Sequence, residues 1–110
     1  MSVAVDLPDL PAAIAKQIGW CYVLTVSEEG QPRVLAVVPE QTSAGALRFD
    51  VGKNTAANVA SRPVTLLFPP TTPSAMSLIV DGTAAIDGLT VELTPTWAVM
   101  HRSAIRDGAR

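Results

Sequence analysis

Apolar positions recur at two different spacings along this chain. Leu10, Ile14 and Ile18 fall at i, i+4 and i+8 and make one helical stripe. Asp9 as a cap, Pro11 in the first turn and Gly19 just past the end complete the signal, which predicts a helix over residues 9–19. From Trp20 the spacing becomes that of strands. "WCYVLTV", "RVLAVVP", "LRFDV", "VTLLF", "MSLIVDGTAAI" and "LTVEL" are β-rich runs. They are separated by "SEEGQP", by "EQTSAGA", by a Gly-Lys-Asn-Thr turn with a short Ala-rich helix, by the proline-containing "PTTPSA", and by Asp87-Gly88. Asp-Gly between two apolar runs is the strongest hairpin signal in the chain. Gly82 inside the longest run predicts a bulge or a close backbone approach. Thr94-Pro95 reads as an N-cap followed by a first-turn proline, which predicts a last helix carrying Trp97 and Met100 on one side.

The expected architecture is mainly β, six antiparallel strands in hairpin order with short helices, and a small barrel is the favoured closure. One domain is expected over residues 1–110, with an N-terminal helical segment at 1–19, the barrel at 20–94, and a helix and tail at 95–110. Full-length helices do not separate the strands, which argues against a parallel doubly wound sheet. No internal repeat or low-complexity segment interrupts the pattern.

Composition sharpens this picture in one respect. Hydrophobic residues make up 48% of the 110 residues and charged residues 16%, and mean hydropathy is +0.31. That is apolar for a small domain and predicts either a face covered by a partner subunit or an unusually well-buried fold. The net charge of −2 argues against nucleic acid, whose phosphates need a basic surface. No apolar run approaches the roughly 18 residues of a membrane helix, so no membrane span is expected. The first residues lack a basic segment followed by an apolar one, so no signal peptide is expected. Cys21 and His101 are the sole cysteine and histidine, which leaves no expected metal cluster and suggests a cytoplasmic setting.

Candidate chemistry is sparse. Lys53, Asn54, Thr55 and Asn58 surround the start of the Ala-rich helix, where free N–H groups and the helix dipole favour an anion. Gly52 would let a ligand approach the backbone. The alternative is plain capping by Asn54 or Thr55, with Lys53 a solvated turn residue. Arg33 and Arg48 either reach the same anion or are outward strand charges. His101 is either an acid–base group or structural, Cys21 reads as a small buried hydrophobe, and Asp81 as a bulge or turn residue or a dimer contact. Trp97 and Met100 either pack the last helix down or wall a ring-shaped ligand. No nucleophile–base pair, P-loop or dinucleotide fingerprint is evident, so catalytic residues stay unknown and a cofactor would have to carry any difficult chemistry.

The ordered run "GQPRVLAVVPE … LRFDVGKNTAANVASRPVTLLFPP … SLIVDGTAAI … VELTP" resembles the pyridoxamine 5′-phosphate oxidase-like family, the FMN-binding split barrels. The resemblance implies a six-stranded antiparallel split barrel that forms a homodimer, with a flavin at the interface: FMN, or alternatively the deazaflavin F420. It implies cofactor contacts from Arg33, Val34, Phe49, Asp50, Val51, Gly52, Lys53, Asn54, Thr55 and Asn58. It also implies an oxidoreductase-like role, with a non-catalytic cofactor-binding, storage or sensing dimer, or a barrel that has lost its cofactor, as alternatives.

Overall fold

The computed structural model describes residues 2–60 and 62–105. Strand β1 (Ser2–Ala4) leads into a 3-10 turn (Leu7–Asp9) and helix α1 (Leu10–Ala15). Strands β2 (Cys21–Val26), β3 (Pro32–Val37), β4 (Glu40–Gln41) and β5 (Leu47–Asp50) follow, then helix α2 (Lys53–Val59) and strands β6 (Val64–Phe68), β7 (Ser77–Asp87) and β8 (Thr90–His101). All pairings are antiparallel, in the order β3-β2-β6-β7-β8-β5-β4, with β1 also on β8. The six longer strands are those expected from the pattern, and β3 keeps a free edge.

Strict alternation decides what is buried. Val23, Leu66, Val80 and Ala98 are cross-strand neighbours on the inner face, and all are buried. Phe68, Leu78, Leu47, Phe49, Val91 and Leu93 extend the same core. Each fully buried aliphatic or aromatic side chain stabilises the fold by roughly 1.5–3 kcal/mol relative to exposure.

The helical segments are shorter than the spacing suggested. Helix α1 stops at Ala15, with Lys16 as its C-cap. Leu10 is therefore buried and Ile14 packs on the core, while Ile18 falls off the stripe and is exposed. The chain is then anchored by Gln17, whose amide donates to the carbonyls of Pro69 and Met76 at 3.3 Å each. Asp9 precedes α1 but makes no side-chain cap bond.

The expected helix at 95–110 is corrected. Residues 95–101 continue β8 and pair with β7 out to Ser77 and with β1. A helix there would leave one edge of the first half of β7, the edge away from β6, without a ladder, so the tertiary pairing overrides the local Thr-Pro cap signal. The expected tail at residues 106–110 lies outside the described residues. In the strand, Trp97 and Met100 diverge: Met100 packs inward, whereas Trp97 points outward and is 50% exposed.

The β7–β8 ladder shifts register between Asp81 and Gly82, with Asp81 opposite Trp97 and Gly82 opposite Pro95. Thr96 is the extra residue of this bulge, and its hydroxyl donates to the Asp81 carbonyl at 3.3 Å. Pro95, which has no N–H to give, sits at the irregular point, where its loss to the ladder is small. A Cβ on Gly82 would lie 2.5 Å from the Thr94 carbonyl oxygen and 2.7 Å from Leu93 Cδ2. Gly82→Ala should therefore destabilise the protein by about 2 kcal/mol through overpacking against the backbone. Gly52→Ala, where nothing stands within 4 Å, should change stability by less than about 0.5 kcal/mol. Urea unfolding of both variants measures the difference.

Candidate functional site

The inward-facing row of β2 runs Cys21, Val23, Thr25, and all three are buried. Across the β2–β3 ladder their partners are Val37, Leu35 and Arg33. The row is thus apolar over most of its length and turns polar at one end, where Thr25 faces Arg33. Directly cross-strand residues share a face, so Arg33 stands on the core side of β3 at the mouth of the sheet. Helix α2 lies beside that mouth. Asn58 Nδ2 donates to Thr25 Oγ1 at 3.3 Å, which satisfies a buried hydroxyl and holds the amide in place.

Between α2 and the β2–β3 turn is an open cleft of about 470 Å³. Arg33, Asn54, Asn58 and Arg62 line it with hydrogen-bond donors, and Glu28 and Glu29 line it as well. Val26 and Ala57 add apolar wall. Neither arginine makes an ion pair among the described residues. Arg33 Nη1 donates instead to the neighbouring Pro32 carbonyl at 3.0 Å. Two guanidinium groups without a carboxylate partner, beside two side-chain amides, make a cleft suited to an anion.

The structure sorts the residues suggested by the sequence. Arg33, Asn54 and Asn58 are brought together. Val34 is on the opposite face of β3 and is 60% exposed. Phe49 and Val51 are core residues, and Asp50 accepts a bond from the Thr90 hydroxyl at 2.8 Å, on β8. Gly52 is the N-cap of α2 in extended conformation, and no side chain caps the helix. The capping role considered for Asn54 and Thr55 is therefore not theirs. Helix α2 begins at Lys53, and neither Lys53 nor Thr55 lines the cleft. Arg48 does not join Arg33: it pairs with Glu92 at 3.0 Å, with both side chains about half exposed, a contact of small energetic weight.

Arg62, Glu28 and Glu29 were not singled out by sequence reasoning. The available signal was strand parity. Once Arg33 is placed opposite Thr25, the turn joining them belongs to the same mouth.

Two curated mycobacterial proteins resemble the chain along most of its length. An uncharacterized protein of Mycobacterium bovis and one of Mycobacterium tuberculosis are each 34% identical over 122 aligned positions, covering 96% of this chain and 80% of theirs. Among solved structures, a Clostridium acetobutylicum protein related to general stress protein 26 of Bacillus subtilis, described as of the pyridoxinephosphate oxidase family, superposes with a TM-score of 0.65. That match has 14% identity and covers 89% of this chain and 91% of the other. The chain belongs to the family of the two mycobacterial proteins, and its fold is the split barrel of the pyridoxamine 5′-phosphate oxidase-like proteins. No family model matches the chain.

In this split barrel the sole cysteine is not available for chemistry. Cys21 is fully buried on β2, and desolvation pushes its thiol up to about 12. His101 lies exposed at the end of β8, outside the cleft. Among the described residues no three His, Cys, Asp or Glu side chains converge as a metal site, and no helix is long and apolar enough to cross a membrane. The raised thiol sets a linkage. The unfolded chain loses this proton near about pH 8.5, whereas the folded one keeps it to about 12. The contribution to stability is present below the unfolded value and is lost as pH rises through the folded one. Native protein at about pH 8 should therefore resist thiol alkylation that goes to completion after unfolding, as read by mass spectrometry.

Proposed function

We propose that this split barrel is a homodimeric cofactor-binding protein that holds a flavin or deazaflavin, FMN or F420, by its phosphate in the Arg33–Arg62 cleft. The observation that supports this most directly is the presence of two arginines free of acidic partners in one cleft, although Glu28 and Glu29 line the same space. The cleft volume of about 470 Å³ is within the range of small-molecule sites. Arg33 and Arg62 would donate charge-assisted bonds to phosphate oxygens, and the amides of Asn54 and Asn58 would add neutral ones. Asn58 arrives already oriented by Thr25, so less side-chain freedom is lost on binding. Lys53, adjacent in sequence to Asn54, contributes positive potential without lining the cleft. A bound flavin or deazaflavin would supply hydride transfer, and the protein would position it and exclude water.

The outward face of the sheet supports the dimer. Val34, Leu24, Thr65, Asp81 and Trp97 form one continuous cross-strand row from β3 to β8. The next row is Ala36, Tyr22, Leu67 and Ile79, ending at Val99, which is already buried within the chain. Asp81 is the one charged residue of these rows, and it accepts a bond from the Thr65 hydroxyl. An apolar face of this extent fits a second copy of the chain.

A second reading is a dimer that binds the cofactor for storage or sensing without turnover. The observation favouring it is that the cleft lining contains no histidine, cysteine or tyrosine.

Titration with FMN and with F420, followed by tryptophan quenching and visible absorbance, tests the reading. Saturable binding of one of them is expected, weakened about ten-fold by Arg33→Ala and by Arg62→Ala, the loss of one charge-assisted bond each. Lys53→Ala should cost less. Binding of neither cofactor would sink the proposal. Bleaching of the bound cofactor by reduced nicotinamide would separate the oxidoreductase from the non-catalytic dimer. By analytical ultracentrifugation the protein should sediment as a dimer, and Trp97→Glu should shift it to monomer without unfolding the barrel. A monomeric wild type would remove the dimer from the proposal.

A further inference from the structure

The outward face of the sheet carries one charge in the middle of its apolar rows. In the row Val34, Leu24, Thr65, Asp81 and Trp97, Asp81 is the only ionisable side chain. The row beside it adds only the Tyr22 phenol.

Asp81 is fixed in that position by its neighbours. On the β6 side it faces Thr65, whose hydroxyl donates to Asp81 Oδ1. On the β8 side it faces Trp97. The Thr96 hydroxyl donates to the Asp81 carbonyl at 3.3 Å, and the next residue, Gly82, is wedged against the Thr94 carbonyl. From these two strands no titratable side chain faces Asp81, and it forms no ion pair among the described residues.

A two-fold interface is self-complementary, because each copy offers the other the same patch. A second copy laid on these rows therefore brings another Asp81 and no Lys, Arg or His. The basic side chains of the same surface stand away from them. His101, with Arg102 after it, is four residues beyond Trp97 along β8, roughly 13 Å at the usual rise of a strand. Arg48 lies past the bulge beside Asp87 and Glu92, and pairs with Glu92. Pairing of the outward faces thus takes two carboxylates out of water with hydroxyls as partners and no counter-charge. Burying an ionised carboxylate is costly, and burying the neutral acid is much less so.

We infer that Asp81 makes the association of two copies through this face proton-dependent. The dimer tightens as Asp81 takes up a proton from solvent and loosens as it gives the proton back. Association takes up protons, so the dissociation constant falls as pH falls. This rests on the dimer reading above and adds its regulation, and it needs no cofactor.

Fluorescence-detected sedimentation over a dilution series, at constant ionic strength, reads the dissociation constant at each pH. For the wild type it should fall about ten-fold between about pH 7.5 and about pH 5. Asp81→Asn keeps the shape and an acceptor for the Thr65 hydroxyl while removing the charge. At about pH 7.5 it should self-associate about ten-fold more tightly than the wild type, with a flat pH profile. Asp81→Ala should flatten the profile as well. Thr65→Val removes the hydroxyl donor, so it should weaken the dimer at about pH 7.5 and steepen the response. His101→Gln should respond as the wild type does. A wild-type constant that does not fall toward acid, or an Asp81→Asn dimer no tighter than the wild type at about pH 7.5, overturns the inference and leaves the dimer standing. A response abolished by His101→Gln places the proton elsewhere and overturns it too. Wild type and Asp81→Asn that are both monomeric at every pH overturn the dimer reading and the inference with it.

Discussion

The Thr94 carbonyl stands against Gly82 where any side chain would be, and the rest of the sheet is arranged around that contact. β7 and β8 are its longest strands, and their register shifts there. On one side of the shift, β7 carries β6, β2 and β3 outward as a wide curved sheet. On the other, β8 carries β5 and β4. A bulge increases local twist and bends the strand that carries it. A single ladder can thus serve two halves that face each other across one core. β8 is shared further still: β5 pairs along its first residues and β1 along its last. The gap between them is covered by Leu7, Leu10 and Ile14, which line a cavity of about 310 Å³ with Leu47 and Pro95.

The inner face of β2 and β3 shows how a packed barrel ends in a polar mouth without burying unpaired groups. Cys21 and Val23 face Val37 and Leu35 in the interior. One step further along the same row, Thr25 is still buried and Arg33 is exposed. Asn58 bridges the transition by satisfying the Thr25 hydroxyl from outside the sheet. A buried hydroxyl without a partner would cost about 1–3 kcal/mol. The same bond that removes this cost fixes the orientation of an amide in the cleft.

The strands were legible because alternation and turn chemistry agree: "WCYVLTV" buries alternate residues and "RVLAVVP" half-buries Leu35 and Val37 around a Gly-containing turn, and Asp87-Gly88 closes β7 onto β8. The C-terminal segment was misread because Thr94-Pro95 is a sound local helix signal, and Trp97 and Met100 are also three apart. Only the second edge of the first half of β7, which needs a partner besides β6, decides the matter, and that is a non-local fact. The site was half legible for the same reason. Asn54 and Asn58 are separated by one helical turn, so their shared face follows from spacing. Arg62 and the Glu28–Glu29 turn lie more than thirty residues apart in sequence, and their meeting depends on where α2 packs. Lys53 drew attention by proximity in sequence to that helix, yet it does not line the cleft.

β3 links the two surfaces on which the proposed function depends. Arg33 and Val34 are consecutive, so the pleat sends one to the cleft and the other to the apolar outer face. A slip of one residue would exchange them, placing a guanidinium in the outer apolar row and a valine in the anion cleft. β3 is paired along one edge only, so no second neighbour corrects such a slip. Its register is held by the β2 ladder and by the turn from Ser27 to Gln31, with Gly30 in the left-handed region and the Ser27 hydroxyl bonded back to Gln31. The turn that carries Glu28 and Glu29 to the cleft is thus also the one that decides which face Arg33 takes. Charge placement in the cleft and apolar continuity of the outer face are two consequences of one hairpin geometry.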